Sequence, residues 1–262
     1  MGERATLARL VDCFYLVTFH IPPGRLLRVL VAIIALLTAA HLAAQAIVLL
    51  TSHDWVYGFV PRFHFDRELT VPAWYSSCAL LLAAALLFVI ALNERQRSSP
   101  FAGRWFLLAF IFVALSLDEA ASLHELLGQP VNEALANDAI GRFAWLLPAL
   151  VLLMILAVGY VRWFFALPRD TRRLSGAAAA LFLGGSVGAE VAGGLTHHEE
   201  GVSPLYLSLM TLEELLEMSG VAVWVYALAR YAGAKGYELR VRFAGPPPVP
   251  GVAADRRPDV AK

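Results

Sequence analysis

Charge is scarce in this chain: 16% of its 262 residues are charged, 59% are hydrophobic, and the mean hydropathy is +0.64. Soluble domains carry about a quarter charged residues, so a soluble enzyme is excluded, and so is a disordered chain. Cysteine is scarcer. Cys13 and Cys78 are the two in the chain, too few for a disulfide scaffold. They are expected on opposite sides of a membrane, as ordinary apolar thiols. Neither charge sign prevails, with 21 basic and 21 acidic residues. The basic excess of a nucleic-acid binder is missing. Several catalytic signatures are missing as well. There is no Glu-x-x-His pair, no His-Glu-x-x-His zinc motif and no Gly-rich phosphate loop.

What is present is a series of long apolar runs. A bilayer crossing needs about 20 apolar residues. Six runs meet that length, at Leu26–Leu50, Pro72–Asn93, Trp105–Leu127, Phe143–Leu167, Ser175–Leu195 and Leu205–Ala232. The sequence therefore predicts an all-α, polytopic integral membrane protein built as a six-helix transmembrane bundle. Residues 1–25 form an N-terminal segment whose stretch 5–20 reads as interfacial. Residues 26–232 form the membrane domain. Residues 233–262 read as a disordered tail, Pro-rich from 243 onward.

Basic residues mark the cytoplasmic side of a membrane protein. They gather before the first span (Arg4, Arg9, Arg25, Arg28), between the second and third (Arg95, Arg97, Arg104) and between the fourth and fifth (Arg169, Arg172, Arg173). The tail adds Lys235, Arg240 and Arg242. The other connectors are acidic or mixed, with Asp54, Asp66, Glu68, Glu133, Asp138, Glu199 and Glu200. The alternation predicts an N-in/C-in topology. Arg outnumbers Lys 19 to 2, as a GC-rich genome would produce. The expected location is a bacterial inner (cytoplasmic) membrane, crossed several times.

The strongest functional signal is acid inside apolar helices. The third span holds Asp118, Glu119 and Glu125, the fifth Glu190, and the sixth Glu213, Glu214 and Glu217. No lysine or arginine occurs at matching depth, since Arg162 and Arg230 lie near helix ends and can snorkel. Insertion scales put a mid-bilayer Asp at about 2.5–3.5 kcal/mol, so several such carboxylates need protons or a bound cation. Helical spacing groups them. Asp118, Ser122 and Glu125 share one face, Glu213 and Glu217 are four apart, and Ser186, Glu190 and His197 align. Thr38, His41 and Gln45 form a polar stripe on the first span. The fifth span carries a small-residue stripe at Gly184, Gly188 and Ala192, suited to close packing. Counted from the cytoplasmic ends, His41, Asp118, Glu119 and Glu190 all lie about 20–22 Å up. The fourth span has almost no polar residue between Trp145 and Tyr160 and should face lipid.

These residues predict a cation site in the middle-to-outer half of the bilayer, with a metal as the expected occupant. Glu119, Glu190, Glu214 and Glu217 are its first ligands. Asp118, Glu213 and His41 serve as further ligands or as their hydrogen-bond partners. Mixed carboxylate and imidazole donors suit Fe, Mn or Zn. Such a site could belong to a membrane metalloenzyme acting on a lipid or another lipid-soluble substrate. The alternative is a proton- or cation-coupled transporter or channel using the same carboxylates. A third class is a scaffold or assembly subunit whose acids meet a basic partner helix. The expected partners are the lipid bilayer, a small lipid-soluble substrate or ion, and a second copy in a homo-oligomer. His124, His197 and His198 lie nearer the outer surface, and Glu199 and Glu200 read as a wet loop.

Overall fold

The computed structural model describes residues 22–123 apart from 66 and 68, then 146–200 and 203–237; the side chains of 146, 147, 190 and 197–200 are not among those described. The expected interfacial stretch at 5–20, Cys13, His124, Glu125, the connector with Glu133 and Asp138, and the tail from 238 lie outside the described residues. Every described element is helical and none is a strand.

The first helix, α1 (Pro23–Thr51), opens on Pro22 and Pro23 and closes on Ser52 in the left-handed region. A turn at Val56–Gly58 and the short α2 (Phe59–Phe63) come after it. Thr70 caps α3 (Val71–Gln96) by accepting from the Ala73 N–H, and Pro72 sits in its first turn. α4 (Ala102–Ala121) stops at Ser122, again left-handed. α5 (Leu146–Ala166) and α6 (Arg169–Leu183) come next. A π-helical turn at Gly184–Ala189 links α6 to α7 (Glu190–Glu200). The last helix, α8 (Pro204–Lys235), is capped by Ser203 and ends on Gly236 at φ +62°.

Four stretches are long and apolar enough to cross a membrane: Pro23–Thr51, Val71–Gln96, Pro148–Ala166 and Arg169–Thr196. The described residues are thus all-helical, with four candidate membrane-spanning helices. α4 and α8 are as long as a span but carry the acids that lower their apolar character. α5 is the least buried of the four apolar stretches, in keeping with a lipid-facing helix. The His197–Glu200 stretch continues α7 as helix and is not a loop.

α8 is the central element. Met218, Val225 and Leu228 are fully buried on it, opposite Leu87 and Ile90 of α3. α3 and α4 are pinned by two serines. Ser77 Oγ donates to the Ser116 carbonyl and Ser116 Oγ to the Ser77 carbonyl, both at 2.8 Å. α6 meets α8 at very close range through Gly220, where a Cβ would lie 2.7 Å from the Phe182 nitrogen. The small-residue contact with the π turn is at Gly185 and Ala189, which are buried, while Gly184 and Gly188 are exposed. The predicted stripe is therefore one residue out of phase: the buried face of α6 runs through Thr171, Ser175 and Ala178, and helical spacing continues it to Gly185 rather than Gly184.

One end of the molecule gathers the end of α3, the start of α4, the end of α5, the start of α6 and the end of α8. Arg97 Nη2 donates to the Lys235 carbonyl, Arg104 Nε to the Gly159 carbonyl, and Arg230 pairs with Asp170 at 3.7 Å. The basic connectors of the sequence thus meet at a common end. Trp105 packs there, stacked on Tyr231 and edge-on to Trp163.

Candidate functional site

The acids lie toward the opposite end. Taking the contact between Glu94 and Tyr231 as origin, Glu217 and Glu213 stand about 21 and 27 Å along α8, and the Ser77–Ser116 clasp about 25 Å along α3. Asp118 and Glu119 lie within one turn of that clasp. The acids of α4 and α8 therefore share a level. All five are half-buried, and each is engaged in an interaction with a neighbour.

Local geometry sharpens the electrostatics. The sequence predicts a span to Leu127, but α4 ends at Ala121. Asp118 and Glu119 consequently sit in its last turn, at the negative end of the helix dipole. Carboxylates at that position are disfavoured by about 0.3–1 kcal/mol each. No lysine or arginine occurs in 105–141 or 174–229 to offset them.

α8 lays the Glu217 side chain and the Glu213 backbone against the π turn. A Cβ on Gly185 would lie 2.7 Å from the Glu213 carbonyl oxygen and 2.8 Å from Glu217 Cγ. The absence of a side chain at Gly185 is what lets the Glu217 stem lie against the turn. That turn runs directly into Glu190, the first residue of α7. π turns disturb the helical hydrogen-bond ladder and recur at functional sites. The run Gly184-Gly185-Ser186-Val187-Gly188 has the Gly-x-Ser-x-Gly spacing of a nucleophile elbow. The elbow requires a strand-to-helix turn, whereas here Ser186 Oγ donates to the Phe182 carbonyl inside a helix. Ser186 is a helical residue with its proton engaged, not an activated nucleophile.

His41 is fully buried. The Phe65 N–H donates to its Nδ1 at 3.1 Å, so that nitrogen has no proton and Nε2 carries it. Nε2 faces Thr211 Oγ1 at 3.1 Å, and Thr211 in turn donates to the Leu207 carbonyl. The Gln45 amide lies 2.8 Å from the same Nε2, a sound contact once the amide is turned to present its oxygen. Phe65 stacks on the ring at 4.1 Å, and His64 meets it edge-on at 5.2 Å. Both ring nitrogens are thus held by α8, Gln45 and the first connector. In this arrangement His41 is a clasp two residues from Glu213, with no lone pair directed at a ligand. His41→Ala is expected to cost about 2–4 kcal/mol, from the lost volume and the stranded Phe65 N–H. Thermal unfolding in detergent checks this, and an unchanged midpoint would show that the clasp holds nothing.

Of the seven residues predicted for the site, the structure sets Glu213 and Glu217 against the π turn. It puts Asp118 and Glu119 at the same level on α4, Glu214 beside Glu213, and His41 against Thr211. The Glu190 side chain is outside the described ones. Among the described residues, no three His, Cys, Asp or Glu side chains are placed to hold a metal ion. The carboxylate oxygens of Glu119, Glu213, Glu214 and Glu217 are hard donors; of the expected Fe, Mn and Zn they suit Mn, since Fe and Zn favour an imidazole and both nitrogens of His41 are engaged.

Residues 27–231 match the model of a family described as a domain of unknown function, DUF8692. The chain belongs to that family. The matched stretch begins in the first turn of α1 and ends on Tyr231, so it contains α4, the π turn and most of α8. No curated protein and no solved structure matches the chain.

A second polar cluster, missed in the sequence, lies at the basic end. Glu94 is buried, and its Oε1 accepts from the Tyr231 hydroxyl at 2.6 Å and the Tyr237 hydroxyl at 2.5 Å. In sequence Glu94 stands next to Arg95 and Arg97 and reads as a solvated helix end. The signal that could have found it is the pair of tyrosines flanking the helix stop at Gly236.

Proposed function

We propose that the chain crosses a bacterial inner membrane six times, with both termini cytoplasmic, and holds a cation between α4, the π turn and α8. The cation is a divalent metal whose ligands come from Glu119, Glu190, Glu214 and Glu217; of Fe, Mn and Zn, a carboxylate set favours Mn. Asp118 and Glu213 complete the anionic wall, and His41 fixes the α8 side of it. Held by these carboxylates, such a metal would supply Lewis acidity toward water or toward a bond in a lipid or other lipid-soluble substrate. The gathering of basic connectors at one end supports the orientation. The observation that carries the site is the packing of the Glu217 side chain, with the Glu213 backbone beside it, against the turn that leads into Glu190, at the level of two carboxylates in the last turn of α4.

Metal analysis of the purified full-length protein tests this. The wild type should retain near-stoichiometric transition metal, and Glu190→Ala and Glu217→Ala should each lower retention at least about ten-fold. Negligible metal in the wild type, or equal metal in all three proteins, would overturn the reading.

The π turn also favours a second reading, a proton- or cation-coupled transporter. Transporters build ion sites from interrupted helices near the midplane, and this interruption adjoins the acids. Flux into liposomes under a proton gradient, lost in Glu217→Gln, supports transport; no flux under any cation gradient excludes it.

A further inference from the structure

The cations at the basic end are held in an unusual way. Arg97 Nη2 donates to the Lys235 carbonyl at 3.0 Å, and its guanidinium lies 4.6 Å from the centre of the Tyr237 ring. Arg104 Nε donates to the Gly159 carbonyl at 3.3 Å, with the Phe101 ring 5.4 Å away. Arg172 Nη1 donates to the Phe165 carbonyl at 3.2 Å and lies 5.7 Å from the Phe165 ring. Among the described residues, the ion pair at this end is Arg230 with Asp170, both largely exposed. Three guanidinium groups are therefore anchored by carbonyls and aromatic faces rather than by carboxylates.

An arginine has five N–H donors, and each of these three gives one to the protein. The anchoring fixes the planar fork, so part of the ordering entropy of binding is already met. A fixed fork with remaining donors matches phosphate oxygens. The three sit at different junctions: Arg97 between α3 and α8, Arg104 between α4 and α5, Arg172 between α5 and α6. They occupy three separate helix junctions, so the matching ligand is several separate anions rather than one. Tyr160 lies at the same end, half-buried with its hydroxyl on the Arg104 carbonyl, as aromatics do at a membrane interface. Phospholipid head groups of one leaflet fit this layout.

We propose that this end of the bundle is an annular docking surface for anionic phospholipids, whose phosphates take the remaining donors of Arg97, Arg104 and Arg172. It is independent of the carboxylate site at the other end. The test uses full-length protein in neutral detergent, titrated with phosphatidylglycerol, phosphatidylcholine or inorganic phosphate. Phosphatidylglycerol should raise the unfolding midpoint by about 5 °C, and the other two should leave it nearly unchanged. Arg97→Gln, Arg104→Gln and Arg172→Gln combined should remove most of that rise. Equal shifts with both lipids, a full shift from phosphate alone, or an undiminished shift in the triple variant overturns the proposal. A measurement on the wild type alone keeps the proposal exposed if the triple variant does not fold. Native mass spectrometry should find phosphatidylglycerol retained about five-fold over phosphatidylcholine, and equal retention would sink it.

Discussion

Gly220→Ala should lower the unfolding midpoint of the purified protein by about 5–10 °C, the shift expected when overpacking costs about 1–3 kcal/mol in a domain of this size. The reason is steric and local. A Cβ at Gly220 would meet the Phe182 nitrogen at 2.7 Å, the Ala178 oxygen at 2.9 Å and Phe182 Cα at 3.0 Å. All three are backbone atoms of α6, so no rotamer change can relieve them and the two helices must part. Gly184→Ala is the matched control, because nothing lies within 4 Å of its would-be Cβ. It should leave the midpoint unchanged. Gly185→Ala separates packing from the site. Its Cβ would meet the Glu213 carbonyl oxygen and Glu217 Cγ, so it should disturb cation retention as well as stability. Equal, small effects from Gly220→Ala and Gly184→Ala would show that α6 and α8 are not in close contact.

Apolar helices were the easiest part of the fold to read. α1, α3 and α5 fall where long runs of Leu, Ala, Val and Ile predict them, because hydropathy and helix length give the same answer. Ends were harder. α4 stops at Ser122 with φ +50°, yet the surrounding Ala-Ser-Leu-His has no glycine or proline to announce a stop. α6 begins at Arg169, ahead of the predicted Ser175, since a polar first turn adds nothing to hydropathy but continues the helix. The π turn is invisible to a 3.6-residue period, and the close contact falls at Gly185 rather than Gly184 and Gly188 because Thr171 and Ser175, at the polar start of α6, belong to the buried face.

The site was legible in part. Acids in apolar helices stand out because their cost in lipid demands an explanation. The ring contacts of His41 were not legible. Phe65 lies between His64 and Asp66 in a connector that reads as polar, and Thr211 is one hydroxyl among many in α8. Which nitrogen of an imidazole is engaged depends on contacts made across the fold, and spacing along one helix cannot encode that. Glu94 was hidden for the opposite reason. A glutamate beside two arginines at a helix end has an ordinary solvated reading, and only the folded chain brings Tyr231 and Tyr237 onto it.

Glu94→Ala should be the most damaging single change at the basic end. It removes the acceptor of two hydroxyls, one of them on the buried Tyr231. Hydrogen bonds to a charged acceptor contribute about 1.5–3 kcal/mol each, and a buried hydroxyl left without one carries a further penalty. The expected loss is roughly 3–5 kcal/mol, enough to lower the unfolding midpoint by about 10 °C or more. Glu94→Gln keeps an acceptor oxygen and should lose less than half as much. A double-mutant cycle with Tyr231→Phe then measures the coupling, which should be well above the additive limit for distant sites. The cluster also has a pH signature at Tyr237, beyond the end of α8. Burial pushes its hydroxyl up to about 12, with the Glu94 hydrogen bond adding to the rise. The folded chain therefore holds this proton more tightly than the unfolded one. Its contribution is complete below pH 10 and fades as the pH climbs toward 12. Tyr237→Phe should flatten the stability profile across that window while leaving it parallel to the wild type below it. A profile equally steep in both proteins would mean that the Tyr237 hydroxyl does not hold the end of α8 to Glu94.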